Sequence, residues 1–582
     1  MKNTVFSLLF GALLLLGPTS FRRAPFPPVT FSGSSAELPW APGDFDDGSQ
    51  VDLLVVYTQS AVNEHGSEQK MKEYVAAEVT KLNNAFNSSG IDLEVNLVYQ
   101  QLLSPYTEGE YGTDLANLQG NTTVAALRDD YHADIVVMMR NNAATIDKLA
   151  GKAQGMFAVT KNKNNHTFCH EVGHIFGAMH NDDACTNGCR AFLSGLQKCV
   201  MAGGIFAFST PNITLSGVPY GSSTANATQI ITNNKASISQ QRGSSVKWTG
   251  SVSTDWNTAG NWTYLKGAAK TPTAMVPRAT DDVLIPSGAS RYPVINGNAA
   301  MRSITTQAGT SLTIQTGTVD VYGNWYGNGS LTCNGGTVNF RSPNAKGATV
   351  QQATGGFKAV AVKPGTLVKV ASNLSVPGGL TVEKRGALAQ NGKTITPAPV
   401  DQNAAGDVFL NENCDNGAAA STGQTAFEMP GGWAALNNTL PKESSVNAGS
   451  YKDNLNNKWY RMYVGFTPGV VTSNATVESW IYSAPLKLQK GSYKVSLNYQ
   501  GDGYDVFNCQ VYLGTRQLPA FMNQSVGQKA VTGNSQTMEV TFTVAESGMY
   551  YLGITNKLSG NIPNDGYAKN ELYIDDIKLT RQ

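Results

Sequence analysis

The chain has 582 residues, more than one domain usually holds, and its hydrophobic fraction of 41% and charged fraction of 15% are typical of folded, soluble domains. A formal net charge of +1 provides no basic surface and argues against nucleic acid as a partner. The 59 glycines, with many Thr, Ser and Asn, indicate turn-rich β structure rather than long helices.

Residues 1–20 are predicted to be a secretory signal peptide. Lys2 precedes an apolar run from Val5 to Leu16, and small residues follow the run. The run is shorter than the ~20 apolar residues of a membrane-spanning helix, and no later segment is long and apolar enough to span. An uncleaved anchor is the alternative interpretation. We therefore expect a secreted or cell-surface protein without a transmembrane span.

The next segments predict a linker followed by an α/β domain. Residues 21–50 are rich in Pro, Ser and Gly, which is typical of a pro-segment or linker. The apolar runs VDLLVVYT (51–58) and ADIVVMMR (133–140) predict buried strands, and residues 68–90 carry apolar side chains at helical intervals. Because strands alternate with helices, we expect a mixed twisted sheet with helices over residues 51–246.

The segment HEVGHIFGAMH, which begins at His170, predicts a metal site. His170 and His174 are four residues apart, so they share one face of a helix and can bind one ion. Gly177 can adopt the positive φ that turns the chain, so that His180 can approach as a third ligand. Three His ligands leave one tetrahedral position of a catalytic Zn²⁺ for water, and Glu171 is placed to be general base on that zinc-activated water.

The alternative interpretation of this segment is that its histidines are ordinary surface or core residues. The chain has only six His, and three of them fall at zinc-ligand spacing together with a Glu and a Gly. A His-Glu-x-x-His pair alone would leave open a thermolysin-like site with a distant Glu ligand. The third His at this spacing disfavours that site.

The segment resembles the zinc-binding motif of the metzincins, in which a Met-containing turn underlies the metal. CVMAGG (199–204) supplies Met201 for such a Met-turn. The resemblance extends over residues 51–243 and is closest to the reprolysin or adamalysin-like branch in its bacterial secreted form. One departure is Asn181, since the branch usually has Asp directly after the third His. The resemblance implies a zinc metalloendopeptidase that acts on a protein or peptide substrate.

Two segments are candidates for substrate binding. GMFAVT (155–160), with Gly155 and Phe157, is predicted either as an edge strand that pairs with extended substrate, as in metzincins, or as an interior strand. Phe206 and Phe208 belong to a segment that resembles the specificity pocket of the family. They are predicted either to line the pocket beside the zinc or to pack in the core.

Four of the seven Cys cluster around the predicted metal site: Cys169, Cys185, Cys189 and Cys199. Disulfides are chemically permitted in an exported protein, and four Cys allow three pairings, among which the sequence does not choose. Cys169 points about 100° away from the neighbouring His170 on a helix, so we interpret it as a disulfide or core Cys rather than a metal ligand.

The remainder of the chain predicts two β-rich domains. Short β runs between Gly and Asn turns over residues 247–402 predict a solenoid-like fold or an elongated sandwich, and the sequence does not separate the two. Longer strands over residues 403–582 predict a jelly-roll-like β-sandwich. Its last strand, with Asp575 and Asp576, resembles adhesin or carbohydrate-binding modules of secreted bacterial proteins. Such modules often hold a structural Ca²⁺, so the resemblance suggests a calcium site.

Two functions are compatible with these features. The first is a secreted zinc-dependent endopeptidase whose β-rich domains bind a glycan, matrix or cell-surface ligand. The second is an adhesin or binding protein whose metal-bearing domain is only a scaffold. A scaffold would tolerate the loss of Glu171, so the presence of Glu171 together with all three His favours the peptidase.

Overall fold

The structure is a computed structural model of the chain. It describes residues 49–141, 150–162, 166–181, 190–194, 197–215, 218–242, 245–264, 275–414, 425–426, 429, 431–439, 444–452, 458–466, 475–501, 507–556, 558–560 and 569–582. The predicted signal peptide, nearly all of the predicted pro-segment, Cys185 and Cys189 lie outside these residues. The described residues belong to one unit, Phe45–Gln582. None of the helices within these ranges is long and apolar enough to cross a membrane.

The first domain combines a mixed sheet with helices, as predicted. Its elements are β1 (Gln50–Tyr57), α1 (Gln59–His65), α2 (Glu68–Ser89), β2 (Glu94–Leu102), α3 (Tyr111–Gly120), α4 (Thr122–Asp130), β3 (Ile135–Arg140), β4 (Gly151–Gln154), β5 (Phe157–Lys161), α5 (Thr167–Ile175), β6 (Leu193–Ser194), β7 (Gln197–Lys198), β8 (Thr214–Leu215), β9 (Val218–Pro219) and α6 (Ala227–Ser239). The five-stranded sheet has the order β2-β1-β3-β5-β4. Only β4 is antiparallel to its neighbour.

Helices cover both faces of this sheet. On one face, α2 and α5 contribute Phe86, Phe168 and Val172 to a buried cluster. On the other face, α3 and α4 contribute Leu115 and Val124 to a second cluster. The central strands are therefore buried on both sides, which explains their continuous apolar runs.

The segment GMFAVT lies in an interior strand, which is the second of the two predicted arrangements. β5 lies between β3 and β4, and Gly155, with a φ of +59°, lies in the turn that joins β4 to β5. The strand at the margin of the sheet is β4, because β4 pairs only with β5 in the part of the chain that the structure describes.

The second domain is a parallel β-solenoid, so the solenoid alternative for residues 247–402 is correct. Its strands are β10 (Ser245–Trp248), β11 (Trp262–Tyr264), β12 (Asp282–Ile285), β13 (Val294–Asn296), β14 (Ala299–Met301), β15 (Ile304–Thr306), β16 (Ser311–Thr316), β17 (Thr318–Val321), β18 (Trp325–Cys333), β19 (Thr337–Phe340), β20 (Ala348–Gly355), β21 (Val360–Val362), β22 (Leu367–Val370), β23 (Leu374–Ser375), β24 (Leu380–Val382), β25 (Ala387–Ala389), β26 (Ile395–Thr396) and β27 (Val400–Asp401). Successive coils stack in parallel and take about 20 residues each, as the pairing of Ala348 with Val368 illustrates.

The third domain is an antiparallel β-sandwich. Its strands are β28 (Val408–Glu412), β29 (Thr425–Ala426), β30 (Ala434–Thr439), β31 (Ser444–Lys452), β32 (Lys458–Phe466), β33 (Ala475–Tyr482), β34 (Leu486–Leu488), β35 (Gly491–Gly501), β36 (Asn508–Gly514), β37 (Gln524–Ala530), β38 (Gln536–Val544), β39 (Gly548–Thr555), β40 (Leu558–Gly560) and β41 (Lys569–Arg581). One sheet has the order β29-β31-β32-β41-β35-β38 and the other the order β30-β33-β39-β36-β37. Alternate side chains of both sheets form the core between them.

The first domain shares buried contacts with both β domains. Seven sandwich residues belong to the same buried cluster as Phe86 of α2: Ala434, Leu436, Trp480, Tyr482, Leu518, Met522 and Tyr551. On the solenoid side, the buried Arg302 forms ion pairs with Asp52 of β1 and with Asp282 of β12. The first domain therefore packs against both the sandwich and the solenoid.

Different contacts are found at the two ends of the solenoid. At the first coil, the rings of Trp248 and Trp256 lie 4.9 Å and 4.7 Å from the ring of Trp262. At the last coils, the backbone N–H of Leu388 donates to Oε1 of Gln489 in the sandwich, at 2.8 Å. Sandwich residue Met549 also packs against a small cluster of solenoid residues: Leu367, Ala387 and Ala389.

Candidate metal centre

Helix α5 and the turn that follows it bring three histidines together. His170 and His174 lie one turn apart on α5, and the helix ends at Ile175. Gly177 has a φ of +90°, and its N–H donates to the carbonyl of His174 at 2.9 Å. A positive φ strongly favours glycine, which explains why the chain reverses here and returns His180 towards the helix.

The Nε2 atoms of the three histidines converge on one point. The distance from His170 Nε2 is 3.1 Å to His174 Nε2 and 3.0 Å to His180 Nε2, and the third distance, from His174 to His180, is 3.2 Å. Three nitrogens at these separations can all lie about 2.0–2.1 Å from one Zn²⁺. Across the described ranges, these residues form the one group of three or more His, Cys, Asp or Glu that could hold a metal.

Hydrogen bonds from Nδ1 to backbone carbonyls orient two of the histidine rings for metal binding. Nδ1 of His174 lies 2.7 Å from the carbonyl of Ala178, and Nδ1 of His170 lies 3.3 Å from the carbonyl of Val200. An Nδ1–H that donates to a carbonyl leaves the Nε2 lone pair free to bind a metal. Burial, followed by the neighbouring His174, lowers the pKa of His170 to about 4, so its ring is neutral as a ligand must be.

Glu171 is buried beside the histidines rather than among the metal ligands. Its side chain is 5% exposed, and burial raises its pKa to about 8. The carboxyl group lies against Gly151, the first residue of β4, where an added Cβ would be 2.5 Å from Oε1 of Glu171. The charge of a divalent cation in the histidine site would favour the ionised form of this carboxyl group.

Met201 lies directly beneath the metal-binding helix. It is 1% exposed in the short 3₁₀ turn Val200–Ala202. A Cβ at Gly173 would lie 2.5 Å from Met201 Sδ and 2.9 Å from Cε1 of Phe208, so the absence of a side chain lets these residues approach the helix. The Met-turn role of Met201 stays a prediction.

The other predicted site residues are placed differently. Phe206 is 7% exposed and its ring stacks on that of His166 at 4.9 Å, whereas Phe208 is 0% exposed and stacks on Phe86 at 5.3 Å. Both therefore pack in the core beneath the site. Phe157 lies with the cluster on the opposite face of the sheet, under the guanidinium of Arg128 at 5.0 Å. Phe157 thus lies on the face of the sheet away from α5, because side chains of a strand alternate between faces, and its role in substrate binding stays a prediction.

The disulfide and calcium predictions find no counterpart in the described residues. Cys169 and Cys199 are buried free thiols, so Cys169 is a core residue. Burial raises the pKa of both thiols. Asp576 accepts a hydrogen bond from the Asn498 amide at 2.9 Å and belongs to no group of metal ligands within the ranges given above. The predicted calcium site is unsupported.

Two glycines without a predicted role belong to the site. Gly151 admits the Glu171 carboxyl group, and Gly173 admits Met201. The signal for Gly173 was its position inside the His-Glu-x-x-His motif, where a helix would otherwise favour a residue with a side chain. Gly151 carried no local signal, because its partner lies 20 residues further along the chain.

Residues 47–212 match the family model Reprolysin_5, "Metallo-peptidase family M12". No curated protein matches the chain. A solved chain from a chaperone–substrate complex is 23% identical over 33% of this chain, with a TM-score of 0.30, and this chain covers only 35% of its length. The CBM22-1 xylan-binding domain of Paenibacillus barcinonensis Xyn10C is 11% identical, over 30% of this chain and 96% of its own, with a TM-score of 0.18. The K1 cleaved adhesin domain of Porphyromonas gingivalis W83 Lys-gingipain is 12% identical, over 30% and 98%, with a TM-score of 0.20.

Proposed function

Because the first domain is a metzincin-like metallopeptidase domain that fits the reprolysin branch, we propose that the protein is a secreted zinc-dependent endopeptidase with Glu171 as general base. The observation that carries this proposal is the convergence of three Nε2 atoms on one point, together with the burial of Glu171, which directly follows His170 on the same helix. The same family match supports hydrolysis of peptide bonds as the class of reaction.

His170, His174 and His180 would hold the zinc ion. When bound, zinc supplies a Lewis acid that polarises the scissile carbonyl and favours the deprotonation of water. Glu171 accepts the proton of the attacking water on a carboxylate oxygen and then delivers it to the leaving amine. No side-chain nucleophile is needed, because water is the attacking group.

The geometry supports β4 as the strand that holds the substrate. β4 lies at the margin of the sheet, and its first residue, Gly151, touches the Glu171 carboxyl group. An extended peptide that pairs with Gly151–Gln154 through main-chain hydrogen bonds would therefore pass close to the general base. In this proposal β4, rather than GMFAVT, is the edge strand that pairs with extended substrate.

The scaffold alternative predicts metal binding without hydrolysis. A buried carboxyl group with a raised pKa costs free energy of folding, and an inert scaffold gains nothing from it. Binding of a glycan, matrix or cell-surface ligand by the solenoid or the sandwich stays a prediction, as does secretion.

The test measures zinc content and peptide cleavage on the same samples of three proteins. Wild type should hold about one zinc per chain and lose cleavage when phenanthroline is added. Glu171→Gln should keep the zinc and lose about 10²–10⁴-fold in turnover, whereas His174→Ala should lose both zinc and activity. Glu171→Gln that cleaves at the wild-type rate would contradict the general-base role. Wild type that holds zinc and cleaves no peptide or casein would favour the scaffold.

A further inference from the structure

Helix α2 lies between the metal centre and the sandwich. Towards the metal centre, Phe86 stacks on Phe208 at 5.3 Å and meets the ring of Phe176 edge-on at 5.8 Å. One turn later, Oγ of Ser89 accepts a hydrogen bond from the backbone N–H of Phe208 at 2.7 Å. Phe208 in turn contacts Gly173, between the two histidines of α5. The position of α2 therefore fixes the packing directly beneath two metal ligands.

The opposite side of the same helical turn contacts the sandwich. Oδ1 of Asn84 accepts a hydrogen bond from the hydroxyl of Tyr551 at 2.9 Å. Nδ2 of Asn84 donates to the carbonyl of Gly432 at 3.2 Å. Asn84 is 1% exposed and Tyr551 is 0% exposed, so neither group has water as an alternative partner. Loss of Asn84 would leave the Tyr551 hydroxyl only the weak acceptor Sδ of Met549, at 3.8 Å, and loss of that hydroxyl would take the donor from buried Asn84 Oδ1. Either change is costly.

The close contact between the sandwich and α2 extends along the helix. A Cβ at Gly432 would lie 2.7 Å from Cγ2 of Thr80, one helical turn before Asn84. At the end of α2, the amide of Asn87 donates to the carbonyl of Thr515 at 3.3 Å. Backbone groups of the sandwich thus contact three successive turns of α2, and the helix cannot shift without breaking these contacts.

We propose that the sandwich positions the metal centre through α2, and that Asn84 is the positioning residue that couples them. The inference rests on the proposed metal site but not on peptidase activity. Tightly packed interfaces transmit displacement because protein interiors have few voids. When Asn84 loses its bonds to the sandwich, α2 relaxes and Phe208 moves against Gly173. The separation of His170 and His174 then departs from the geometry that zinc requires.

The experiment compares variants of the full-length chain. Asn84→Leu removes both hydrogen bonds at similar volume, and Tyr551→Phe removes only the hydroxyl. Each should weaken zinc binding by about 3- to 10-fold, which is less than the roughly 10–100-fold seen for direct partners of metal ligands. The zinc dissociation constant is measured by chelator competition. The visible absorption spectrum of the Co²⁺-substituted protein gives a second readout and should shift in both variants.

The double variant Asn84→Leu/Tyr551→Phe tests whether zinc affinity can be restored. It replaces both hydrogen-bonding partners with apolar groups, and the Gly432 carbonyl keeps the amide of Gln517 as donor at 2.9 Å. Such paired replacement is close to neutral, so zinc affinity should return towards the wild-type value. Since Tyr551→Phe keeps the ring in place, it gives a result even where Asn84→Leu folds poorly.

Tyr493→Phe is the matched control. Tyr493 is also a fully buried sandwich tyrosine, and its hydroxyl donates to the carbonyl of Gln489 at 2.7 Å, within the sandwich. It should lower thermal stability without changing the zinc dissociation constant or the Co²⁺ spectrum. Equal zinc affinity in wild type and both α2-interface variants would overturn the inference, as would an equal shift in Tyr493→Phe. Wild type that binds zinc but cleaves no peptide would contradict only the proposed function.

Discussion

Gly151 and Glu171 illustrate how closely the chain packs around the general base. A Cβ at residue 151 would lie 2.5 Å, 2.6 Å and 2.7 Å from three atoms of the Glu171 side chain. Gly151→Ala should therefore displace the carboxyl group while the three histidines keep their positions. Because a misplacement of about 1 Å can cost 10²-fold in rate, we expect kcat/KM to fall by about 10- to 100-fold with unchanged zinc content.

The control for this variant is Gly120→Ala. Gly120 is the last residue of α3, and an added Cβ there meets no atom within 4 Å. Both variants add one methyl group, so zinc content and peptide cleavage are measured on each. Gly151→Ala with wild-type kcat/KM would show that the carboxyl group is not held by this contact.

At the residue scale, the sequence was informative only where the chemistry is local. His170, Glu171, His174 and His180 fall within eleven residues, so helix geometry and one glycine turn suffice to predict their convergence. The face of Phe157 could not be predicted, because β5 is buried on both sides and its apolar run has no alternation.

The turn after α5 determines whether the third histidine reaches the metal. Gly177 has a φ of +90°, and a Cβ there would lie 2.8 Å from Nδ2 of Asn234 and 3.0 Å from Cγ2 of Ile230. Gly177→Ala should therefore open the turn and move His180 away, while His170 and His174 stay on the helix. We expect zinc affinity to fall by at least about 10-fold, measured by chelator competition.

Gly66→Ala separates backbone strain from displacement of the ligand. Gly66 ends α1 with a φ of +81°, and an added Cβ there meets no atom within 4 Å. Both variants carry the cost of a positive φ, about 1 kcal/mol. Only Gly177→Ala should weaken zinc binding. Equal zinc affinity in the two variants would argue against the turn as the determinant.

At the element scale, helix α2 was predictable in extent but not in its contacts. Residues 68–90 were predicted as a helix, and the structure has Glu68–Ser89, with Gly90 in the left-handed conformation. Apolar periodicity identifies one buried face and assigns polar residues such as Asn84 to solvent. The partner that buries Asn84 is more than 400 residues away, and no local pattern encodes it.

The first domain shares a buried core with the sandwich. We therefore expect the stability of the first domain to depend on the rest of the chain. A chain that ends at residue 246 keeps every predicted metal ligand but loses the sandwich side of the core, including Trp480 and Tyr551. It also loses Arg302, the partner of the buried Asp52. We expect it to be insoluble or to unfold at least about 10 °C below the full chain, since each kcal/mol shifts the midpoint by about 2–4 °C.

The matched control is a chain cut by protease after folding, near residue 243. The pieces should stay together on size-exclusion chromatography, because the buried contacts between them do not need a continuous backbone. A residue 51–246 piece as stable and as active as the full chain would contradict the dependence.

At the scale of the molecule, the order of domain types was predictable and their packing was not. Short strands between Gly and Asn turns fit a solenoid and a sandwich equally well. Parallel pairing of Ala348 with Val368, one coil apart, separates the two folds, and pairing partners are a tertiary property.

The sandwich contacts at the last coils of the solenoid have a consequence for self-association. A stack of parallel coils that ends in open backbone groups can accept a further strand from another chain, and repeated addition produces fibres. Here the N–H of Leu388 is already bonded to Gln489, and Met549 packs against Leu367, Ala387 and Ala389 of the last coils. At the other end, three buried tryptophan rings pack together in the first coil. Strand addition should therefore be hindered at the last coils, where contacts within the chain already occupy the N–H of Leu388.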